Sequence, residues 1–78
     1  MDYDVIIRRL KPQRIRLGLT QQQVAQRVGI TRVHYSHIET NAAKTKKPTL
    51  RRILEELELP LAWVDADDFQ KEAARRYG

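Results

Sequence analysis

Two glycines, each followed two residues later by a threonine, divide the middle of the chain into helices of about two turns. Gly18 suits the left-handed backbone that ends a helix, and Thr20 with a glutamine three residues later predicts a capping box at the start of the next helix. That second helix ends at Gly29, and Thr31 is predicted to cap a third helix over residues 32–40. Two short helices separated by so few residues predict a helix-turn-helix.

The first helix is less sharply delimited because Pro12 lies inside it. Proline is tolerated only in the first turn of a helix, so either the helix begins near Lys11 or residues 4–10 form a separate turn or strand kinked against it. Both alternatives remain open at this point. The residues of this stretch that are predicted to face the core are Leu10, Ile15 and Leu17.

The third and fourth helices carry apolar residues at helical spacing. In the third helix, Ile38 is predicted to face inward together with either Val33 or Tyr35. The fourth helix is predicted to start at a Thr49 cap. Its inward residues are predicted to be Leu50, Ile53, Leu54 and Leu57.

The segment after the fourth helix allows two interpretations. Residues 61–64 form either a short fifth helix that begins at Pro60, or a strand with Leu61 and Trp63 on one face. The two interpretations imply different dimers, because a helix would dock against its partner whereas a strand would pair across a two-fold axis.

These elements predict an all-α fold class, a compact bundle of about five short helices that forms one domain over residues 1–64. Residues 65–78 are expected to form an acidic and then basic extension that contacts a dimer partner or another protein. With 78 residues, no cysteine and two histidines, the chain offers neither disulfides nor a full set of metal ligands, and we expect no cofactor, metal or enzymatic activity. No apolar stretch approaches the ~20 residues that span a bilayer, so we expect a cytoplasmic protein that is not bound to a membrane.

Positive charge is concentrated in one segment. Residues 8–52 hold twelve cations and a single acid, a net charge of +11, whereas residues 1–7 sum to −2 and residues 53–78 to −4. This asymmetry favours binding of nucleic-acid phosphates by the middle of the chain and contact of the acidic end with a protein partner. The alternative is a helical bundle with a solvent face rich in lysine and arginine.

Four motifs stand in an order typical of one protein family. Residues 18–31 read GLTQQQVAQRVGIT, and residues 14–19 read RIRLGL. Residues 35–39 read YSHIE, and residues 57–64 read LELPLAWV. Together they resemble the Cro/C1-type (XRE) helix-turn-helix regulators, including lambdoid phage repressors, and the last motif is also similar to that of HipB-type antitoxins. The resemblance covers about residues 10–64 and implies a five-helix, lambda-repressor-like domain that binds a two-fold DNA operator as a homodimer.

The resemblance implies that the third helix presents Arg32, Val33 and His37 to base edges, with His34 near the groove wall. A guanidinium at the start of such a helix can bond guanine O6 and N7 together, and Val33 suits the methyl group of thymine. His37 suits a guanine acceptor or, when protonated, a phosphate. The alternative for both histidines is an exposed position without a role.

The resemblance also implies which residues hold the DNA backbone, the fold and the dimer. Arg14 and Glu39 stand where the family has an ion pair between its first and third helices. Three features depart from the family: Asn41 replaces a glycine, the loop before the lysines is longer, and Tyr35 replaces an isoleucine, where its ring lies in the core or brings its hydroxyl near a phosphate. The implied phosphate ligands are Thr20, Gln21, Thr31, Lys44, Lys46 and Lys47, and the implied dimer contacts are Leu61, Trp63 and Val64.

Three functions from different classes follow. The leading expectation is a sequence-specific transcriptional regulator, a dimeric repressor that binds an inverted-repeat operator in double-stranded DNA. The second is an antitoxin that binds a toxin protein through its acidic C-terminal part and also represses its own operon. The third is an enzyme, for which His34 or His37 with Glu39 would be the acid–base group, and no nucleophile, phosphate loop or metal set accompanies them in the sequence.

Overall fold

The structure, a computed structural model, describes residues 3–42 and 45–64. Short turns separate the helices α1 Tyr3–Arg16, α2 Gln21–Val28, α3 Arg32–Glu39 and α4 Lys47–Glu56. Residues 62–64 add one helical turn, α5, so the helix rather than the strand is confirmed there. The described residues, 3–42 and 45–64, contain no strand, which confirms the all-α fold class. Within them, no helix combines the length and the apolar character that crossing a membrane requires.

One apolar core lies between the helices. α2 packs against α3 and α4, and α1 packs against α3. The inward residues predicted for α4 all lie in this core, and in α3 the buried partner of Ile38 is Tyr35, because Val33 is 53% exposed. The buried apolar side chains are Ile6, Ile7, Leu10, Val24, Ala25, Val28, Tyr35, Ile38, Leu50, Ile53, Leu54, Leu57 and Val64.

α1 runs from Tyr3 to Arg16 with Pro12 inside it, so both alternatives that the sequence left open for this stretch were wrong. Proline has no N–H to donate to the carbonyl of Arg8, four residues earlier. Arg8 and Pro12 are both exposed, so water can reach the carbonyl that the proline leaves without a helical donor. The three buried side chains of α1 all precede the proline, and their packing holds the first half of the helix in place.

The last turn of α1 also differs from the prediction. Ile15 is 58% exposed, so its assignment to the core was wrong. The half-buried positions of this turn belong to Gln13 and Arg14. Gln13 Nε2 donates a hydrogen bond of 2.9 Å to the carbonyl oxygen of Leu57. Polar side chains can occupy inward positions when they are hydrogen-bonded, and hydrophobic periodicity does not reveal such positions.

The predicted caps of α2 and α3 are confirmed. Thr20 Oγ1 accepts a hydrogen bond from the Gln23 N–H at 3.1 Å, and Gln23 Oε1 accepts one from the Thr20 N–H at 2.8 Å. Thr31 Oγ1 accepts a hydrogen bond from the His34 N–H at 3.1 Å. Between them Gly29 ends α2 with φ 78°, a left-handed conformation in which a side chain would be strained. The chain can therefore reverse within three residues and start α3.

α4 begins earlier than predicted. Its first residue is Lys47 and its N-cap is Lys46, so the prediction of a Thr49 cap was wrong. Pro48 lies in the first turn, where its fixed φ suits the helix and its missing N–H costs no bond within the helix. Lys46 makes no side-chain cap hydrogen bond, so this helix start lacks the capping seen in α2 and α3.

Replacing Pro12 by alanine is expected to stabilise the protein. The Pro12→Ala variant restores an N–H donor inside α1, a gain of about 1–3 kcal/mol that exceeds the ~0.4–1 kcal/mol lost because the unfolded chain becomes more flexible. Urea unfolding of the two proteins measures the difference. Lys11→Ala, at the exposed neighbouring position, is the matched control and should stay within about 0.5 kcal/mol of the wild type. A Pro12→Ala protein less stable than the wild type would contradict a continuous α1.

Candidate nucleic-acid interface

The outer face of α3 consists of the four side chains that the sequence analysis assigned to DNA bases. Arg32, Val33, His34 and His37 are all exposed. At about 100° per residue, Val33 and His37 lie opposite the buried Tyr35, with Arg32 and His34 on either side of them. The outer face therefore combines one cation, two imidazoles and an apolar group, which are groups that can donate to bases or contact a methyl.

A bidentate ion pair holds the inner side of α3. Arg14 Nε and Nη2 donate hydrogen bonds to the Glu39 carboxylate at 2.9 and 3.0 Å, and Arg14 Nη1 donates to the carbonyl oxygen of Leu19 at 2.9 Å. The Glu39 side chain is 2% exposed and the Arg14 side chain 11%. One guanidinium therefore joins α1, the turn that precedes α2 and the last residue of α3.

Burial and pairing act in opposite directions on Glu39. Desolvation favours the neutral carboxyl, but the hydrogen bonds from Arg14 and the contributions of Tyr35 and Gln21 hold the pKa of Glu39 below its ordinary value. The hydrogen bond to Glu39 raises the pKa of Arg14. Both groups are therefore charged at neutral pH, and the pair is a true ion pair.

Tyr35 lies beside this pair and belongs to the core. Its side chain is fully buried. Burial, and then the adjacent Glu39 carboxylate, raise the pKa of Tyr35, so the phenol stays neutral. The Tyr35 hydroxyl helps to lower the pKa of Glu39. Its oxygen is buried and has no hydrogen-bond partner that meets the distance and angle criteria among the described residues. The role near a DNA phosphate, one of the two alternatives for this ring, is therefore wrong.

The starts of α2 and α3 carry three of the residues to which the resemblance gives phosphate contacts. Thr20 and Thr31 are exposed, and their hydroxyls are used as caps. Gln21 is half-buried as the first residue of α2, and its side chain contributes to the lowered pKa of Glu39. The N-termini of α2 and α3 carry partial positive charge, which can bind an anion at these positions.

The lysine-rich loop, residues 41–46, leads directly into α4, whose first residue is Lys47. Lys46 is exposed and Lys47 is half-buried, whereas Lys44 lies outside the described residues. α4 has no acidic residue in its first turn and no basic residue in its last, the reverse of the order that the helix dipole favours. The arrangement adds positive charge to an end of the helix that is already positive, which suits a phosphate there.

Two side chains of α1 hold the lysine-rich loop, in an arrangement that we call the loop clamp. Asn41 Nδ2 donates a hydrogen bond to Asp4 Oδ1 at 2.9 Å, and the Thr45 N–H donates one to the Tyr3 hydroxyl at 2.9 Å. Asn41 has φ 60°, a left-handed conformation that asparagine tolerates better than most residues. Sequence reasoning missed Tyr3 and Asp4, because the bonds join residues 37 and 42 positions apart and no local pattern reports them.

The residues proposed for the dimer interface lie at the other end of the described chain. Leu61 and Trp63 are half-buried and pack against the core. Val64 is 2% exposed, so it fills the core of its own chain. The predicted extension, residues 65–78, lies outside the described residues.

Comparison with known proteins agrees with this geometry. The helix-turn-helix family model matches residues 10–64. The chain belongs to this family. The match supports a DNA-binding regulator of the XRE type, and it leaves out Tyr3 and Asp4 of the loop clamp.

One curated relative is antitoxin HipB of Escherichia coli O6:H1 (strain CFT073), which is 36% identical over 59 residues. The alignment covers 76% of this chain and 63% of the relative, so the chain spans less than two thirds of that protein's length. No solved structure gives a significant match.

The free energy of unfolding is expected to depend on Glu39 in acid. Because pairing lowers its pKa in the folded state, its contribution is complete above the ordinary value of 4.5 and is lost as the pH falls below it. Glu39→Gln should lower the free energy of unfolding by about 3 kcal/mol at pH 7, because it leaves a largely buried guanidinium without its carboxylate. It should also flatten the pH dependence between about pH 5 and pH 3, as measured by urea unfolding across that range.

Glu56→Gln provides the matched control for this prediction. Arg27 Nη1 lies 3.9 Å from Glu56 Oε2, and the two side chains are 50% and 36% exposed. A solvated pair of this kind contributes at most about 1 kcal/mol. Equal decreases in the free energy of unfolding of Glu39→Gln and Glu56→Gln would show that the buried Arg14–Glu39 pair stabilises the fold no more than a solvated pair does.

Tyr3→Phe is expected to loosen the lysine-rich loop and leave the core intact. The variant keeps the ring but removes the oxygen that accepts the Thr45 N–H. Loss of about 1 kcal/mol of hydrogen bonding corresponds to about five-fold faster hydrogen exchange at the Thr45 amide. The Leu54 amide inside α4 is the internal control and should exchange at the wild-type rate. Unchanged exchange at Thr45 would refute the loop clamp.

Proposed function

We propose that this chain is a sequence-specific transcriptional regulator, a dimeric repressor that binds an inverted-repeat operator in double-stranded DNA. The observation that carries the proposal is the exposed outer face of α3 on a helix whose inner side is tied to α1 by Arg14 and Glu39. A helix supported from one side can insert its other side into the major groove, which is about 12 Å wide. Membership of the helix-turn-helix family supports the same activity.

In this proposal the outer face of α3 reads the bases. Arg32, the first residue of α3, reaches guanine O6 and N7 together through its guanidinium. Val33 contacts a thymine methyl, and His37 donates to a guanine acceptor. His34 lies at the edge of the face, towards the groove wall.

Contacts with phosphates fix the position of the domain on DNA without selecting the sequence. The starts of α2 and α3 direct backbone N–H groups at phosphates of the DNA, and the lysine-rich loop supplies cations. The residues assigned to the phosphates are Thr20, Gln21, Thr31, Lys44, Lys46 and Lys47.

The dimer is proposed to form through the half-buried surface of Leu61 and Trp63, with Val64 packed inside each chain. Two domains, each over residues 1–64, then face the two halves of one operator. The proposed activity is binding, in the cytoplasm, and it requires no cofactor or metal.

A second candidate function is that of an antitoxin that also represses its own operon. The observation that favours it is the 36% identity to a protein named antitoxin HipB, together with the net charge of −4 in residues 53–78. In that case a neighbouring gene encodes a protein that arrests growth when expressed alone and not when this chain is co-expressed. Growth that is indifferent to the neighbouring genes would remove this candidate and leave the first.

Two substitutions separate base reading from phosphate binding. Arg32→Ala should cost about 1–3 kcal/mol at one operator position and relax the choice of base there, because it removes a bidentate contact. Lys46→Ala should weaken binding to every duplex alike and reduce the salt slope by about one, because it removes one phosphate contact. Fluorescence anisotropy with operator and random duplexes over a range of salt concentrations measures both effects.

Arg8→Ala is the control, since Arg8 is an exposed arginine on the side of α1 opposite its buried residues. It should leave both the affinity for the operator and the preference for it unchanged. If Arg32→Ala and Lys46→Ala acted identically on operator and random DNA, the assignment of the outer face to base reading would be wrong.

A further inference from the structure

One bond of the loop clamp holds the point at which the chain leaves α3. The Asn41 N–H donates to the carbonyl oxygen of Ile38 at 3.0 Å, and the Ala42 N–H donates to the carbonyl oxygen of His37 at 2.7 Å. These two bonds, with Asn41 in the left-handed conformation at φ 60°, form a Schellman motif that ends α3. The side chain of the same asparagine donates to Asp4. The first turn of α1 is therefore tied to the end of the helix that carries the outer face.

The second bond of the loop clamp lies next to the start of α4. The Thr45 N–H donates to the Tyr3 hydroxyl, and the following residue, Lys46, is the N-cap of α4. Tyr3 is half-buried and packs against the core, so its hydroxyl is held in place as an acceptor. The backbone beside Lys46 is thereby joined to the first residue of α1.

Apolar packing does not anchor this part of the chain. None of the described residues between Glu39 and Leu50 is buried. A segment with few buried apolar contacts opens locally at a small cost in free energy. The clamp bonds therefore restrain Asn41 and Thr45 where the core does not, and losing one of them should loosen these residues without unfolding the helices.

We propose that Tyr3 and Asp4 are positioning residues for DNA binding, which hold Asn41 and Thr45 so that the neighbouring Lys46 is already placed to meet a phosphate. This inference rests on the proposed function. A cation that must first be ordered binds with an affinity reduced by the fraction of molecules in which it is in place. The clamp raises that fraction without touching DNA. It should therefore change the affinity but not the number of phosphate contacts.

Two substitutions that leave the net charge unchanged test the proposal. Tyr3→Phe removes the acceptor of the Thr45 N–H. Asn41→Gly removes the donor to Asp4, and glycine adopts the left-handed backbone without strain. Each full-length variant should bind a random duplex about five-fold more weakly than the wild type, with the same salt slope. Fluorescence anisotropy over a range of salt concentrations measures both quantities, and circular dichroism checks that each variant is folded.

The salt slope separates a positioning residue from a phosphate ligand. Lys46→Ala should reduce the slope by about one, because a phosphate contact is lost. A reduced slope in Tyr3→Phe or Asn41→Gly would overturn the proposal, since the substituted residue would then account for a phosphate contact itself. Wild-type affinity in both variants would also overturn it and leave the proposed function standing. A wild-type chain that binds no duplex would instead show that the proposed function is wrong.

Asp4 is tested by a pair of variants of equal charge. Asp4→Asn keeps a side-chain oxygen that can accept the hydrogen bond from Asn41 Nδ2, whereas Asp4→Ala keeps no acceptor. Both variants lose one negative charge, so a difference between them is not an effect of net charge. Asp4→Ala should bind the random duplex about five-fold more weakly than Asp4→Asn, again with the same salt slope. Equal affinities would remove Asp4 from the proposal.

Glu58 provides the control for the glycine substitution. It also has a left-handed backbone, with φ 56°, and it is exposed. Comparing Glu58→Gly with Glu58→Asn therefore repeats the exchange of asparagine for glycine at a left-handed position outside the loop clamp. The two variants should bind the duplex equally. A five-fold difference between them would assign the effect of Asn41→Gly to the backbone and overturn the role of its side chain.

Discussion

The geometry of the candidate interface depends on the ion pair between Arg14 and Glu39. Its guanidinium holds the carboxylate of α3 with two hydrogen bonds and the carbonyl of Leu19 with a third, so three separate segments meet at one group. Arg14 and Glu39 remain charged because each stabilises the ionised form of the other against desolvation. An outer face that reads bases must have a fixed orientation, and the inner pair provides it.

The caps of α2 and α3 and the buried face of α4 are as the sequence predicts, whereas the predicted Thr49 cap of α4 is not formed. The capping threonines of α2 and α3 act within four residues of themselves, and the apolar spacing of α4 is regular enough to identify its buried face. α1 could not be predicted in the same way, because tertiary packing of its first turns outweighs the local effect of Pro12. Its inward Gln13 and Arg14 are polar and find their partners far along the chain, so periodicity assigned Ile15 to the core in their place.

In the candidate site too, the residues with a local sequence signal were predicted and those without one were missed. Arg32, Val33 and His37 were assigned by their positions in a motif, and their exposure is consistent with that assignment. The loop clamp has no motif: Tyr3 and Asp4 precede the segment that matches the helix-turn-helix family, and their partners lie 42 and 37 residues further along the chain.

The proposed function requires the outer face of α3 to read a DNA sequence as part of a dimer. Selection of bound molecules from a random duplex pool at physiological salt, with the mass of the complex recorded, tests it most directly. We expect enrichment of an inverted repeat with half-site centres about 34 Å apart, bound by two chains. Salt-sensitive binding to every duplex with no enriched sequence would contradict it, because phosphate contacts alone would then account for the affinity.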